Sequence, residues 1–234
     1  MIALVTGASR GIGKVIAAQL AADGYDLALV GRDLESLNQV CAQMPSGIRT
    51  LPIAADLTKV ESCARIVKET VEHFGGLDLL VNCAGLSHKG SFTTVTPEDW
   101  DRIFAVNARA PFFICKEALH YLKQSSKPIV INIASVVGFK GYIDQSVYAS
   151  SKHALSGFTK VFAKEVQPFG IRVHLISPGA VATEMVLKMR PDIKPDELIQ
   201  PEEIAEIVHF LVSRKGLGTI DHFYLRRYSG LAFD

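Results

Sequence analysis

Short apolar, β-branched runs alternate along this chain with longer stretches in which apolar positions recur every three or four residues. Ile2-Ala3-Leu4-Val5 reads as a strand buried on both faces, and a helix is predicted over 14–22. Leu27-Ala28-Leu29-Val30 and residues 48–54 read as the second and third strands, followed by helices over 34–43 and 60–74. Leu79-Leu80-Val81-Asn82 is the predicted fourth strand, 129–133 the fifth, 172–176 the sixth and 219–226 the last. Pro97, placed at a first helical turn, opens a long helix predicted to reach Leu122, and further helices are expected over 147–166 and 201–213. Buried strands alternating with helices specify an α/β fold: a doubly wound, parallel, seven-stranded sheet with helices on both faces. No linker, repeat or low-complexity tract divides the 234 residues, so 1–234 is read as a single domain.

Ligands of such sheets bind beyond the carboxyl ends of the strands. Residues that directly follow strands are therefore the candidates for chemistry. Thr6-Gly7-Ala8-Ser9-Arg10-Gly11-Ile12-Gly13 follows the first strand and opens the first helix. Glycines there let the backbone turn tightly against a pyrophosphate, and the helix N-terminus offers N–H groups and partial positive charge. Gly31-Arg32-Asp33 ends the second strand. Gly31 occupies the place where a carboxylate commonly holds the ribose hydroxyls of NAD, while Arg32 and Arg10 can clamp a 2′-phosphate. This favours NADP(H) over NAD(H), although Asp33 can either cap the next helix or reach the ribose. Asp56-Leu57 follows the third strand. Adenine recognition and helix capping are both open to Asp56.

Asn82-Cys83-Ala84-Gly85 ends the fourth strand. Its small residues would let a cofactor lie against the sheet edge, and Asn82 could tie neighbouring strands together. Asn107 stands inside a predicted helix, where Asn is a poor former, and could open it to hold a water. Ser135 follows the fifth strand, where its hydroxyl can hold a substrate oxygen or cap a turn. Pro178-Gly179-Ala180-Val181-Ala182-Thr183 follows the sixth, a tight path with groups suited to a carboxamide. Tyr148-Ala149-Ser150-Ser151-Lys152 puts a phenol and an ammonium on one helix face. The cation is expected to draw the tyrosine toward working pH as an acid/base.

Charge and composition narrow the partners. The net charge is +1 and Lys and Arg are scattered, which argues against nucleic acid. No apolar stretch approaches ~18 residues, so no bilayer span is expected. The apolar start is too short, and lacks the basic flank, for a signal peptide. Cys41, Cys63, Cys83 and Cys115 are widely separated, as for free thiols in a reducing, cytoplasmic compartment. The seven histidines show no ligand spacing, and no metal is expected.

The segments TGASRGIG, DLT, NCAG, the helical Asn107, IAS, YASSK and PGAVAT occur in one order along nearly the whole chain. Together they resemble the short-chain dehydrogenase/reductase family. The resemblance implies a Rossmann-like oxidoreductase that transfers hydride between NADP(H) and a ketone or aldehyde. It makes Tyr148 the proton donor, Lys152 its partner and a ligand of the nicotinamide ribose, Ser135 the holder of the substrate oxygen, and Asn107 the holder of a relay water. Gly7, Ser9, Gly11, Ile12 and Gly13 would frame the pyrophosphate. Arg10 and Arg32 would read the phosphate, Asp56 and Leu57 the adenine, and Asn82, Ala84 and Gly85 the adenosine ribose region. Pro178, Gly179, Val181 and Thr183 would meet the carboxamide.

The sequence departs from the family's 3-oxoacyl carrier-protein reductases near its end. Thr219-Ile220-Asp221-His222-Phe223-Tyr224-Leu225-Arg226-Arg227 replaces a strand followed by Asp-Gly-Gly, and the expected lid over 184–200 is short. That points toward the branch of small hydroxy-acid, carbonyl and sepiapterin-type reductases, with a thioester reductase as the alternative. A cofactor sensor without activity is disfavoured by the intact Ser135, Tyr148, Lys152 and Asn107. Phe139, Tyr142 and Met185 are expected pocket walls. A homodimer or homotetramer is implied through the helices carrying Phe112, Phe113, Phe158 and Phe162, unless these rings fill the core. The 228–234 tail could meet a neighbouring subunit.

Overall fold

The computed structural model describes residues 1–190 and 192–230. Seven strands form one sheet: β1 (Ile2–Thr6), β2 (Asp26–Gly31), β3 (Thr50–Ala54), β4 (Leu79–Asn82), β5 (Ile129–Ile133), β6 (Arg172–Pro178) and β7 (His222–Leu225). All six pairings are parallel, in the order β3-β2-β1-β4-β5-β6-β7. The chain winds outward from β1 to β3, then returns to β4 on the other side of β1. This reversal opens a crevice at the carboxyl ends of β1 and β4.

The alternation of side chains along each strand divides the core in two. Ala3, Val5, Leu27, Leu29, Ile129 and Ile131 face helices α1 (Gly11–Ala22) and α8 (Pro201–Ser213). Leu4, Ala28, Val30, Leu80 and Val130 face α3 (Glu61–Phe74), α5 (Ala110–Leu122) and α6 (Ser146–Val166). Both faces are therefore apolar without a polar side, as the continuous runs require. The helix α2 (Leu34–Cys41) starts at Asp33, whose carboxylate accepts from Glu35 N at 3.3 Å and Ser36 N at 3.1 Å.

The long helix expected from Pro97 to Leu122 is interrupted. The helix α4 (Pro97–Phe104) passes through a π-helical turn at Ala105–Arg109 before α5 begins. Asn107 lies inside that wide turn, which is the opening its poor helix propensity foreshadows. A short helix that the sequence pattern does not announce, α7 (Glu184–Met189), follows β6; Thr183 caps it by accepting from Val186 N at 3.4 Å. No helix among the described residues is long and apolar enough to cross a membrane.

Candidate active site

A cleft of about 680 Å³ runs along the carboxyl edge of the sheet across β1, β2, β4, β5 and β6. At its centre is the turn between β1 and α1. Gly7 and Gly11 adopt φ of 70° and 56°, left-handed values that favour glycine. A Cβ on Gly13 would lie 2.3 Å from the Gly7 carbonyl oxygen, so only glycine lets α1 approach the strand this closely. The helix α1 has no side-chain cap and no acidic residue in its first turn, whereas α2, α4 and α8 each carry one there. Its leading N–H groups face the cleft without a carboxylate to answer them, the arrangement an anionic diphosphate requires. Thr6 fixes the far side of the turn: its Oγ1 accepts from Cys83 N at 3.0 Å and Ala84 N at 3.1 Å, binding the end of β1 to the end of β4. Sequence reasoning passed over this threonine.

Most sequence-predicted residues line this cleft. Gly7, Ser9, Arg10, Gly11, Ile12 and Gly13 do so from the glycine-rich turn, Arg32 from β2, Asp56 and Leu57 from β3, and Ala84 and Gly85 from β4. Ser135, Tyr148, Lys152, Pro178, Gly179, Val181 and Thr183 close the other end. Asn107 lies behind the lining, and Asn82 is the clearer exception. Its side chain is buried and donates to Asn132 Oδ1 at 2.9 Å and to Cys115 Sγ at 3.4 Å. It is a strand tie, the structural half of its two readings, and not a cleft wall.

The charged residues at the β2 end also resolve. Asp33 is committed to the cap of α2, with Ser36 Oγ as a further donor, and these hydrogen bonds hold its carboxyl below the usual range. It does not line the cleft. Arg32 is exposed at the cleft mouth and forms no ion pair among the described residues. Arg10 is not a free clamp: its Nη1 donates to Glu184 Oε2 at 2.8 Å, bridging the mouth to α7. Asp56, which lines the cleft, accepts through Oδ1 from Thr58 N at 2.9 Å and Thr58 Oγ1 at 2.7 Å, and its Oδ2 takes no hydrogen bond among the described residues.

Tyr148 and Lys152 stand one turn apart on α6, as their spacing requires. Lys152 Nζ is buried, donates to the Ile133 carbonyl at 3.0 Å and lies 6.0 Å from the Tyr148 ring centre. Burial pulls its pKa down to about 8, against a weaker upward pull from Cys83. The tyrosine departs from expectation. Burial pushes its pKa up from the ordinary value, and the Ser135 hydrogen bond is the opposing influence; among the protein's own groups the ammonium does not lower it. Ser135 also accepts from Val137 N at 3.3 Å and donates to the Pro178 carbonyl at 3.3 Å, so it both caps a turn and faces the cleft. Cys83 lines the same cleft, but burial raises its thiol to about 12, which makes it a neutral filler.

Asn107 is tied to two segments that its sequence setting does not specify. Its Oδ1 accepts from Leu86 N at 2.8 Å, and its Nδ2 donates to the Leu86 carbonyl at 2.8 Å and to Ser151 Oγ at 3.0 Å. These bonds lock the loop after β4 to α6. Gly85 lies beside both groups: a Cβ there would stand 3.6 Å from Asn107 Oδ1 and 3.7 Å from Lys152 Nζ, an ordinary contact distance. The same helix is pinned from below by a buried polar chain. Asn132 Nδ2 donates to Thr159 Oγ1 at 2.9 Å, and Thr159 donates to the Leu155 carbonyl at 2.7 Å. Neither Asn132 nor Thr159 has a motif to betray it; only their pairing across β5 and α6 does.

Beyond Tyr148 lies a second chamber of about 280 Å³, which shares Ser135, Tyr148, Gly179, Met185 and Val186 with the cleft. Tyr142 and Met185 line it, as expected. Phe139 does not; its ring stacks on His222 with centroids 4.7 Å apart.

A family model of the short chain dehydrogenases matches residues 1–194. The chain belongs to the short-chain dehydrogenase/reductase family. It is therefore an oxidoreductase of a family that uses nicotinamide dinucleotides. Relatives span nearly its whole length. The carbonyl reductase family member 4 of Xenopus tropicalis is 35% identical over 216 residues, covering 90% of each chain. The alcohol dehydrogenase of the archaeon Thermococcus sibiricus, solved with 5-hydroxy-NADP, superposes with a TM-score of 0.91 at 30% identity, covering 99% of this chain and 98% of that one. The 3-ketoacyl-(acyl-carrier-protein) reductase of Brucella melitensis, solved with NADH, gives 0.83 at 30% identity over 91% and 90%. This short-chain dehydrogenase/reductase thus has structural relatives solved with either dinucleotide.

Proposed function

We propose that this protein is an NADP(H)-dependent reductase of ketones or aldehydes. The observation that carries the reading is the position of Tyr148 and Ser135 on the wall shared by a long cleft and a smaller chamber. A dinucleotide lying in the cleft and a carbonyl compound in the chamber would meet there. The uncapped α1 N-terminus and the glycine turn fit a diphosphate. Arg32 at the mouth, Gly31 in place of an acidic residue, and an Asp33 already spent on α2 support NADP(H) over NAD(H). When bound, the dinucleotide supplies hydride to the carbonyl carbon.

The chain's own residues handle the proton. Ser135 holds the carbonyl oxygen beside the phenol. Tyr148, whose raised pKa keeps it protonated near neutrality, gives its Oη proton to that oxygen, and an alcohol results. Lys152, still largely cationic at pH 7 with a pKa of about 8, stabilises the phenolate until solvent restores the proton. Asn107 is a positioning residue, holding Leu86 and Ser151 around the pair. The segment 184–200 acts as a short lid within a single domain. Exposed Phe112, tilted against Phe158 at 4.9 Å, supports a homo-oligomer, while Phe162 belongs to the core. The tail residues 231–234 lie outside the described residues. The four thiols are unpaired, in keeping with a reducing cytoplasm.

The resemblance to a 3-ketoacyl-(acyl-carrier-protein) reductase over 91% of the chain supports a second reading, reduction of 3-oxoacyl thioesters. One assay separates them: NADPH oxidation across small ketones, β-keto esters, acyl thioesters and quinones. Turnover of the free ketones is expected. Turnover of thioesters alone would favour the second reading, and no turnover of any carbonyl would remove both.

A further inference from the structure

The second chamber has a charge that the reduction of a plain ketone does not call for. Among the described residues that line it, four are basic and none is acidic: Lys140, Arg190, Arg226 and Arg227. Arg226 and Arg227 directly follow β7, so the parallel sheet delivers them to the same edge as Tyr148. Two of the guanidiniums are answered outside the chamber. Arg190 forks onto Asp192 at 2.8 and 2.7 Å, and Arg227 reaches Glu197 at 3.2 Å. Arg226 is different. Its Nη1 donates to the carbonyl oxygens of Arg227, Tyr228 and Gly230 at 3.0, 3.2 and 2.9 Å, and it meets no carboxylate among the described residues. Carbonyl dipoles fix the direction of that guanidinium without cancelling its charge. Met185, Val186, Met189 and Ile193 give the chamber that holds both Arg226 and Tyr148 an apolar share of its wall.

We propose that this chamber seats an oxoanion at Arg226, so that the substrates are carbonyl compounds bearing a carboxylate or phosphate separated from the carbonyl by an apolar stretch. The proposal rests on the reductase reading, since it names the substrate class of that site. The charge is preorganised: Arg226 is held by three backbone acceptors, so little ordering remains when an anion arrives. Arg226 stands at the exposed rim of the chamber, so the pair forms in contact with solvent and responds to added salt.

The test compares a six-carbon oxo carboxylate, its methyl ester and the matching oxo-alkyl phosphate as substrates with NADPH. The wild-type kcat/KM is expected to favour an anion over the ester by about tenfold to a hundredfold, with the difference in KM. Preference for the carboxylate or for the phosphate tells the two sources apart. Arg226→Gln should bring the anion-to-ester ratio toward one, and Arg226→Lys should restore part of it. A wild-type ratio near one, or a ratio unmoved in Arg226→Gln, overturns the proposal. The same question is put to the unaltered enzyme by calorimetry, titrating hexanoate and methyl hexanoate into the NADPH-loaded protein. Hexanoate binding that weakens with added NaCl and exceeds that of the ester supports the seat, and equal binding of the two refutes it. Selective hexanoate binding without turnover of any carbonyl would sink the reductase reading and leave the anion seat standing.

Discussion

The two ends of the cleft are built from different materials. Around β1, β2 and β4 the surface is backbone: glycines at φ of 70° and 56°, an uncapped helix end, and Thr6 clamping one strand to the next. Beyond Tyr148 the walls are side chains: Met185, Met189, Ile193 and a set of arginines just after α7 and just after β7. Backbone geometry leaves little room for substitution, because a Cβ at Gly13 or Gly7 would strike neighbouring main-chain atoms at 2.3 and 2.9 Å. Side-chain walls can be exchanged without disturbing the fold. On the proposed reading, the difference teaches that the dinucleotide end is fixed by folding itself, whereas the choice of carbonyl compound rests on a few replaceable groups.

Four substitutions would sharpen or break this contrast, the strongest first. Tyr148→Phe removes the proposed proton donor at the junction, and kcat should fall by about two to four orders of magnitude while NADPH titrates with little change in affinity by fluorescence. Retention of full turnover would take the tyrosine out of the chemistry. Gly13→Ala belongs wholly to the backbone end. The clash should cost about 1–3 kcal/mol, lowering the melting temperature by several degrees and weakening dinucleotide binding. Met185→Ala, at the opposite end, should move KM between substrates and leave the melting temperature within about one degree. If the two variants behaved alike, the contrast would be wrong. Arg32→Asp is expected to reverse the dinucleotide preference by about tenfold or more toward NADH, and an unchanged NADPH-to-NADH ratio would show that Arg32 does not read the phosphate.

Lys152 gives the pH-dependent case. Its pKa in the fold, about 8, lies below the ordinary 10.5. Unfolding therefore takes up a proton between those values, so burying the cation costs stability in full below pH 8, and the cost is relieved as pH rises toward 10. Lys152→Met should be less active yet more stable than the wild type at pH 7, with the stability gap narrowing by pH 10 in denaturant titrations. In the wild type kcat/KM should decline as pH rises through about 8, where the ammonium is lost. A variant no more stable at pH 7 would show that the hydrogen bond to Ile133 outweighs the desolvation.

The contrast also governs what could be read from the chain. The central strands announce themselves because both faces are covered and their runs are mostly apolar, and the glycine turn because its spacing follows a strand. Ser135, Tyr148 and Lys152 are legible for the same reason: short motifs at strand ends or on one helix face. The rest depends on partners far along the chain. Asn82 looks like a cleft residue until Asn132 is seen beside it, 50 positions away. Asn107 signals an opened helix correctly, but its three hydrogen bonds go to Leu86 and Ser151, which no local pattern specifies. Gly138 went unnoticed, although a Cβ there would lie 2.9 Å from the Lys152 carbonyl oxygen. The helix α7 was missed because its six residues are too few for periodicity to speak. The predicted effect of the ammonium on the phenol follows from sequence spacing, whereas burial, which dominates, follows from the whole fold.

The Arg10–Glu184 bridge joins the glycine turn to the helix behind which the carbonyl compound would sit, and both partners are about two-thirds exposed. Dissolved ions consequently reach it freely and act on two things with opposite sign. Added electrolyte weakens the attraction between cationic side chains and an incoming phosphate, yet it also loosens the strap that such a phosphate has to part. Uptake of the dinucleotide should therefore respond to ionic strength less steeply than the number of nearby arginines suggests, and Glu184→Gln should restore the steeper dependence.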